Sequence, residues 1–212
     1  MVRTMVRTGR LGSLNRTPLS WAAEKGHEGI VNLLLGRKEV NPDTPGKESG
    51  RTPLTWAANE GHEGIVSLLL GRKDVNPNIT DRWRGRTPLS LAAGNGHEGI
   101  VKLLLQRKHV NPNSSSFYNE TPIFWAANKG RERIVKLLLG REDVNPNIAG
   151  TRCGQTPLSL AAQMGHAGIV QLLLERKDVN PNSSSKSGQT PLALATQKGH
   201  NTIVELLQAR HC

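Results

Sequence analysis

The chain has 212 residues, 36% of them hydrophobic and only 3% aromatic. It carries 28 Lys and Arg against 17 Asp and Glu, a net charge of +11, with a pI of about 10.3. No run approaches the roughly 18 apolar residues of a membrane span, and the charge favours an acidic partner, nucleic acid or an anionic surface without selecting among them.

Residues 1–14 read as a flexible lead. They hold Arg3, Arg7 and Arg10 with no acid, and the doubled Met-Val-Arg-Thr at 1–4 and 5–8 looks like a start-site accident. Lacking a continuous apolar stretch, the segment is not a secretory signal, and a mitochondrial presequence is a minor alternative.

From residue 15 onwards one phrase recurs six times, opening with Thr-Pro at 17, 52, 87, 121, 156 and 190 at intervals of 35, 35, 34, 35 and 34 residues. A fixed period of this length indicates a stack of small supersecondary units. In each unit the spacing predicts two short helices. Thr17 is a suitable N-cap and Pro18 suits the first helical position. Leu19, Ala22 and Ala23 form one apolar face, and Gly26 can take the left-handed conformation that ends a helix. Glu28 opens a second helix favourably for its dipole, Ile30, Val31, Leu33, Leu34 and Leu35 bury most of it, and Arg37-Lys38 suit its C-terminus. After Val40-Asn41-Pro42 a polar stretch reads as an extended hairpin loop. The residues between Asn-Pro and Thr-Pro number 9, 9, 8, 9 and 8, so all length variation falls in these loops.

The ends differ. Gln208 stands where earlier units have a third Leu, making the last helix more polar, as a terminal cap requires. The first unit has no such adaptation, so either residues 1–14 cover it or a preceding segment is missing; the second is the expectation. Cys153 and Cys212 do not recur with the period and should be too far apart for a disulfide, which needs Cα atoms within about 7 Å, so a reducing cytoplasmic or nuclear setting is expected.

The phrase resembles the ankyrin repeat, with its Thr-Pro-Leu opening, Ala-Ala, Gly-His turn, Ile-Val-x-Leu-Leu-Leu helix and Val-Asn tail. The resemblance spans residues 15–212. The usual His after Thr-Pro-Leu is replaced by Ser20, Thr55, Ser90, Phe124, Ser159 and Ala193, and the usual Leu after it by Trp21, Trp56 and Trp125. The Trp-Ala-Ala, Gly-His-Glu-Gly-Ile-Val and Asn-Pro-Asn wording is similar to long arrays in fungal multidomain proteins. The resemblance implies an all-α solenoid of six helix-turn-helix units joined by hairpin loops, residues 15–212, working as a monomeric, non-enzymatic scaffold for one or more proteins. The alternatives are a binder of nucleic acid or another anionic surface, or an array excised from a larger nucleotide-binding, immune-receptor-like protein.

In that family partners meet a concave face of hairpin tips and first helices. Here the tips are 43–50, 78–85, 113–119, 147–154 and 182–188. Arg82-Trp83-Arg84 places a Trp between two guanidinium-bearing residues, Phe117-Tyr118 supplies the chain's one Tyr, and Arg152 lies on the fourth tip. Trp, Tyr and Arg are enriched among binding hot spots. On the first helices Lys25, Asn59, Glu60, Asn95, Lys129 and Met164 vary between units as a recognition surface would. The competing readings are aromatics folded onto neighbouring loops and drift at solvated positions.

Other regularities read as structural. Trp21, Trp56 and Trp125 alternate with Leu91, Leu160 and Leu194, so that position asks only for an apolar side chain. His27, His62, His97, His166 and His200, with Arg131 at the fourth equivalent, occupy the turn without a second ligand in the unit. His27-Glu28-Gly29-Ile30-Val31 lacks the second His of a zinc-protease motif. The row Arg37, Lys38, Arg72, Lys73, Arg107, Lys108, Arg141, Arg176 and Lys177 reads as helix-end stabilisation. No catalytic, metal or cofactor site is expected.

Overall fold

The computed structural model describes residues 16–210. The lead at 1–14 and Cys212 lie outside them; Cys153 is exposed and free. Among the described residues twelve helices form six helix-turn-helix pairs: α1 Pro18–Glu24 with α2 Glu28–Leu35, α3 Pro53–Glu60 with α4 Glu63–Gly71, α5 Pro88–Asn95 with α6 Glu98–Leu105, α7 Pro122–Asn128 with α8 Glu132–Leu139, α9 Pro157–Met164 with α10 Ala167–Glu175, and α11 Pro191–Lys198 with α12 Asn201–Ala209. No strand occurs among the described residues, and none of their helices is long and apolar enough to cross a membrane.

The helix boundaries follow from local chemistry. In every unit the Thr hydroxyl accepts the backbone N–H three residues on, as Thr52 does from Thr55, and Pro follows at the first helical position. The turn glycine meets two demands at once. Gly61 has φ of +87°, and a Cβ there would lie 2.6 Å from Cε1 of His97 in the next unit. A side chain at this position would be strained by its backbone and would also push the next layer away.

First helices pack on first helices and second helices on second helices along the stack. Ile65, Val66 and Leu69 are buried in one layer, and Ile100, Val101 and Leu104 in the next. The first unit departs from the expected burial: Val31 and Leu34 are covered, but Ile30 and Leu33 are 45% and 73% exposed. In later units the preceding helix pair covers these positions. At the far end Gln208 is exposed, as its polarity predicts.

Polar rungs join the layers at fixed register. His62 Nε2 lies 2.9 Å from the Glu24 carbonyl, His97 Nε2 3.0 Å from that of Asn59, and His200 Nε2 3.2 Å from that of Gln163, so each is a bridge between layers. The helix-end arginines also work across layers. Arg72, Arg141 and Arg176 donate to the carbonyls of Leu35, Leu105 and Leu139, each the last residue of the preceding second helix. These cations therefore cap the neighbour's helix rather than their own, which corrects the sequence reading. Asp74, Asp143 and Asp178 each grip the arginine two residues before, and that hydrogen bond holds their carboxyls below the usual range.

The Asn-Pro-Asn segments form a third set of rungs. Asn78 Oδ1 accepts the Asn111 N–H at 3.1 Å and its Nδ2 donates to the His109 carbonyl at 2.8 Å; Asn113 and Asn147 repeat the pattern. The first unit has Asp43 here. Asp43 Oδ2 accepts the Asn76 N–H at 2.7 Å, but Oδ1 is buried without a partner. By register it faces the Asp74 carbonyl, another acceptor. Burial pushes the Asp43 carboxyl above its ordinary 3.8, opposed by the Asn76 bond.

Asp43→Asn should restore the missing donor and stabilise the fold by about 1 kcal/mol at neutral pH, the value of one hydrogen bond. With its folded pKa raised, Asp43 contributes favourably below the unfolded value and loses that contribution as pH rises through the folded one. The stability gap between variant and parent should therefore widen from pH ~4 towards neutrality, measurable by urea unfolding; a gap independent of pH would contradict the facing acceptors.

Candidate partner-binding face

Each loop closes as a hairpin at its base, through pairs such as Asp81 N–H to the Arg86 carbonyl at 2.9 Å and Gly150 N–H to the Gln155 carbonyl at 3.0 Å. The hairpins also bond to one another. Arg82 N–H donates to the Ser49 carbonyl, Phe117 to Arg84, Thr151 to Tyr118 and Lys186 to Cys153, at 2.8, 2.8, 2.6 and 2.9 Å. Five successive tips are thus tied by backbone into one row. Their sequences vary, yet their main chain is committed.

On this row Arg82, Trp83, Arg84, Phe117 and Arg152 are exposed, Trp83 and Phe117 by 56% and 66%. The guanidinium over the Trp83 ring is that of Arg51, at 4.9 Å, and not that of either sequence neighbour. Arg82 instead donates to the Lys47 carbonyl in the previous tip at 3.0 Å. Phe117 lies against Gly85 of the preceding hairpin, where a Cβ would come within 2.7 Å of its ring, while its other face is open. Arg152 stacks on Tyr118 at 4.5 Å. The aromatics lean on neighbouring loops and stay accessible.

The first-helix positions divide. Lys25, Glu60, Asn95, Lys129 and Met164 are exposed, and Asn59 is half-buried. Asn95 Nδ2 donates to the Asn59 carbonyl at 2.9 Å, and Asn59 Nδ2 to Glu60 at 2.7 Å, so these three form a small interlayer network. Lys129 and Met164 lie further along the stack at the ends of α7 and α9.

What the sequence reading missed is the residue before each Thr-Pro: Arg16, Arg51 and Arg86 in the first three units, then Glu120, Gln155 and Gln189. Arg16 and Arg51 sandwich the buried Trp56 ring at 4.2 and 4.5 Å, and Arg51 continues to Trp83. Guanidinium, indole, guanidinium and indole alternate from hairpin base to hairpin tip. Such contacts are worth roughly 0.5–2 kcal/mol each, more where water is excluded. Asp81 underlies the stack, 3.5 Å from Arg51 and 3.4 Å from Arg86, with its side chain fully buried. Burial lowers the Arg51 pKa from its usual value; the Asp81 charge opposes this and the Arg86 charge adds to it. The recurrence of Arg before Thr-Pro in three consecutive units was the available signal.

A shallow groove of about 600 Å³ lies between α6 and α8, lined by Glu98, Lys102, Leu105, Arg133 and Lys136. Among the described residues no three His, Cys, Asp or Glu side chains gather as a metal site. A family model described as ankyrin repeats (three copies) matches residues 2–81, 66–150 and 142–212. No curated protein matches the chain significantly.

The two tryptophans at the ends of the Arg51 contact should respond oppositely to truncation. Trp56→Ala, at a 4% exposed site, is expected to cost about 3–5 kcal/mol, whereas Trp83→Ala, more than half exposed, should cost below about 1 kcal/mol, both measured by chemical denaturation. Equal losses would mean that Trp83 belongs to the core.

Proposed function

The chain belongs to the ankyrin-repeat family, and we propose that it acts as a non-enzymatic protein-binding scaffold whose recognition face is the hairpin row with the adjoining first-helix ends. Ankyrin repeats generally serve as protein–protein interaction modules. The observation that carries the reading is the pairing of a hydrogen-bonded hairpin backbone with outward aromatic and arginine side chains at Trp83, Phe117, Tyr118, Arg84 and Arg152. A partner meeting such a row orders few main-chain torsions on binding, and the entropy cost of association falls accordingly. Tyr118 and Trp83 supply broad rigid contacts of the kind that dominate interfaces. Lys25, Asn59, Glu60, Asn95, Lys129 and Met164 border the row and tune which partner fits. The working unit is residues 15–212 as one monomeric stack, in the cytoplasm or nucleus.

The net charge keeps a second reading, nucleic acid or an anionic surface, in play through the exposed Lys38, Lys73, Lys108 and Lys177. Against it, three arginines of that row are already held by Asp74, Asp143 and Asp178 and by helix carbonyls. Surface ion pairs of this kind add little stability, about 0–1 kcal/mol, but they leave fewer cations free for phosphate.

Capture from cell lysate, comparing the parent with Trp83→Ala/Tyr118→Ala, separates the readings. Loss of specific proteins from the variant's catch is the expected result, with DNA retention vanishing by about 0.15 M salt. Identical catches would remove the hairpin tips from the recognition face.

A further inference from the structure

Arg51, Asp81 and Arg86 form a charge triad that does not balance. Both guanidiniums bond one Asp81 oxygen, Oδ2, at 3.5 and 3.4 Å. The other, Oδ1, is taken by the backbone N–H groups of Arg84 and Arg86 at 3.0 and 3.1 Å. Both Asp81 oxygens are engaged, and within the buried cluster two cations share one anion; the exposed Glu60 adds only a weaker field at Arg51. Donors around it also outnumber acceptors: Arg51 Nε, Arg86 Nε and Trp56 Nε1 are buried without a partner, three of the five such side-chain atoms among the described residues. Arg51 and Trp56 are themselves only 5% and 4% exposed, so solvent satisfies neither. A buried polar donor without a partner costs about 1–3 kcal/mol, and the cluster as a whole calls for one more anionic acceptor.

The same position in the other units shows that this imbalance is local. Arg16 is matched by Glu24. In the later units Glu120 accepts from Ser116 at 3.1 Å, Gln155 donates to Gln163 at 2.7 Å and Gln189 donates to Gln197 at 3.0 Å. Only the join of the second and third units holds surplus positive charge with surplus donors. Its solvent-facing edge is Arg86, whose side chain is 22% exposed, beside Trp83, which lies half-exposed over Arg51.

We propose that the Arg51–Asp81–Arg86 triad, walled by Trp83, is a subsite for one carboxylate side chain of an acidic protein partner. The guanidinium fork offers two parallel N–H donors to a planar carboxylate, and one carboxylate brings the triad to neutrality. The proposal rests on the protein-binding reading above and adds to it the chemistry and place of one anchor. A nucleic-acid strand is the poorer occupant, because it carries a charge on every nucleotide and needs cations along its whole track. Past the third unit that track meets Glu120 and two neutral glutamines.

The test measures fluorescence anisotropy of a fluorescein-labelled hexaglutamate peptide titrated with the full chain at low salt. Arg86→Gln leaves Arg51 and Asp81 as a neutral pair, and Arg133→Gln removes an equal charge from a remote, exposed site. Binding to the parent, weakened about fivefold or more by Arg86→Gln and less than about twofold by Arg133→Gln, is expected from loss of a charge-assisted fork. Should Arg86→Gln lose its helical circular dichroism, Arg86→Lys takes its place; it keeps the charge, loses the fork and is expected to weaken binding about threefold. No binding, equal losses from the paired variants, or displacement of the peptide by oligothymidylate at a lower charge concentration would overturn the proposal. If hexaglutamate fails while partner capture still depends on Trp83 and Tyr118, the subsite alone falls; if that dependence is absent too, the protein-binding reading falls with it.

Discussion

No helix pair in this chain can bury its own apolar face, and every other feature follows from the contact between one pair and the next. Ile65, Leu69, Ile100, Leu104, Ile134 and Leu138 reach near-zero exposure only because a neighbouring layer covers them. Each such side chain contributes about 1.5–3 kcal/mol by burial, against about 0.5–1.5 kcal/mol for a hydrogen bond. Apolar contact therefore supplies most of the cohesion. It does not by itself specify how the layers slide or turn against each other. The polar rungs do that: a histidine to a first-helix carbonyl, an arginine to a second-helix carbonyl and an asparagine to a backbone N–H, each spanning one repeat. Gly61 and Gly130 belong to the same device, because a Cβ at either would meet the histidine of the next unit below 3 Å.

Fixing the layers fixes the hairpins. Their tips carry the most variable side chains, while their main chain continues the interlayer bonding from Ser49 to Lys186. Variation in the loops is thus variation of side chains on a constant rail. The electrostatics of that rail are uneven. Toward the first units, arginines stack with tryptophans and leave positive charge beside Asp81; toward the last, the equivalent positions close into neutral side-chain pairs. The hairpin bases therefore have a direction, arginine-rich toward the first units and uncharged at Gln155 and Gln189.

Much of this was legible residue by residue. Thr-Pro marked the start of each first helix through a hydroxyl cap, Gly its end through a left-handed backbone, and the recurrent Leu and Ala positions the core. These are local or within-repeat effects, and a single unit displays them. The contacts that escaped notice run between units about 35 residues apart. Arg72 looked like a cap for its own helix and caps Leu35 instead; Trp83 looked flanked by Arg82 and Arg84 and is covered by Arg51. Asp81 sits in a polar loop, which reads as solvated, yet its carboxylate is buried because two backbone N–H groups and two guanidiniums enclose it. Periodicity reveals that units stack; which side chain crosses to which neighbour depends on their relative orientation.

The central claim is that the tips are held as one row by backbone bonds between units, so that recognition acts on a preorganised surface. Amide hydrogen exchange at Arg82, Phe117, Thr151 and Lys186 tests it directly, since each of these N–H groups is the donor that links one tip to the previous one. The account predicts exchange slowed about a hundredfold or more relative to unstructured amides, in step with the helices beside them. Exchange of these four amides at the unprotected rate, with the helical amides still protected, would contradict it.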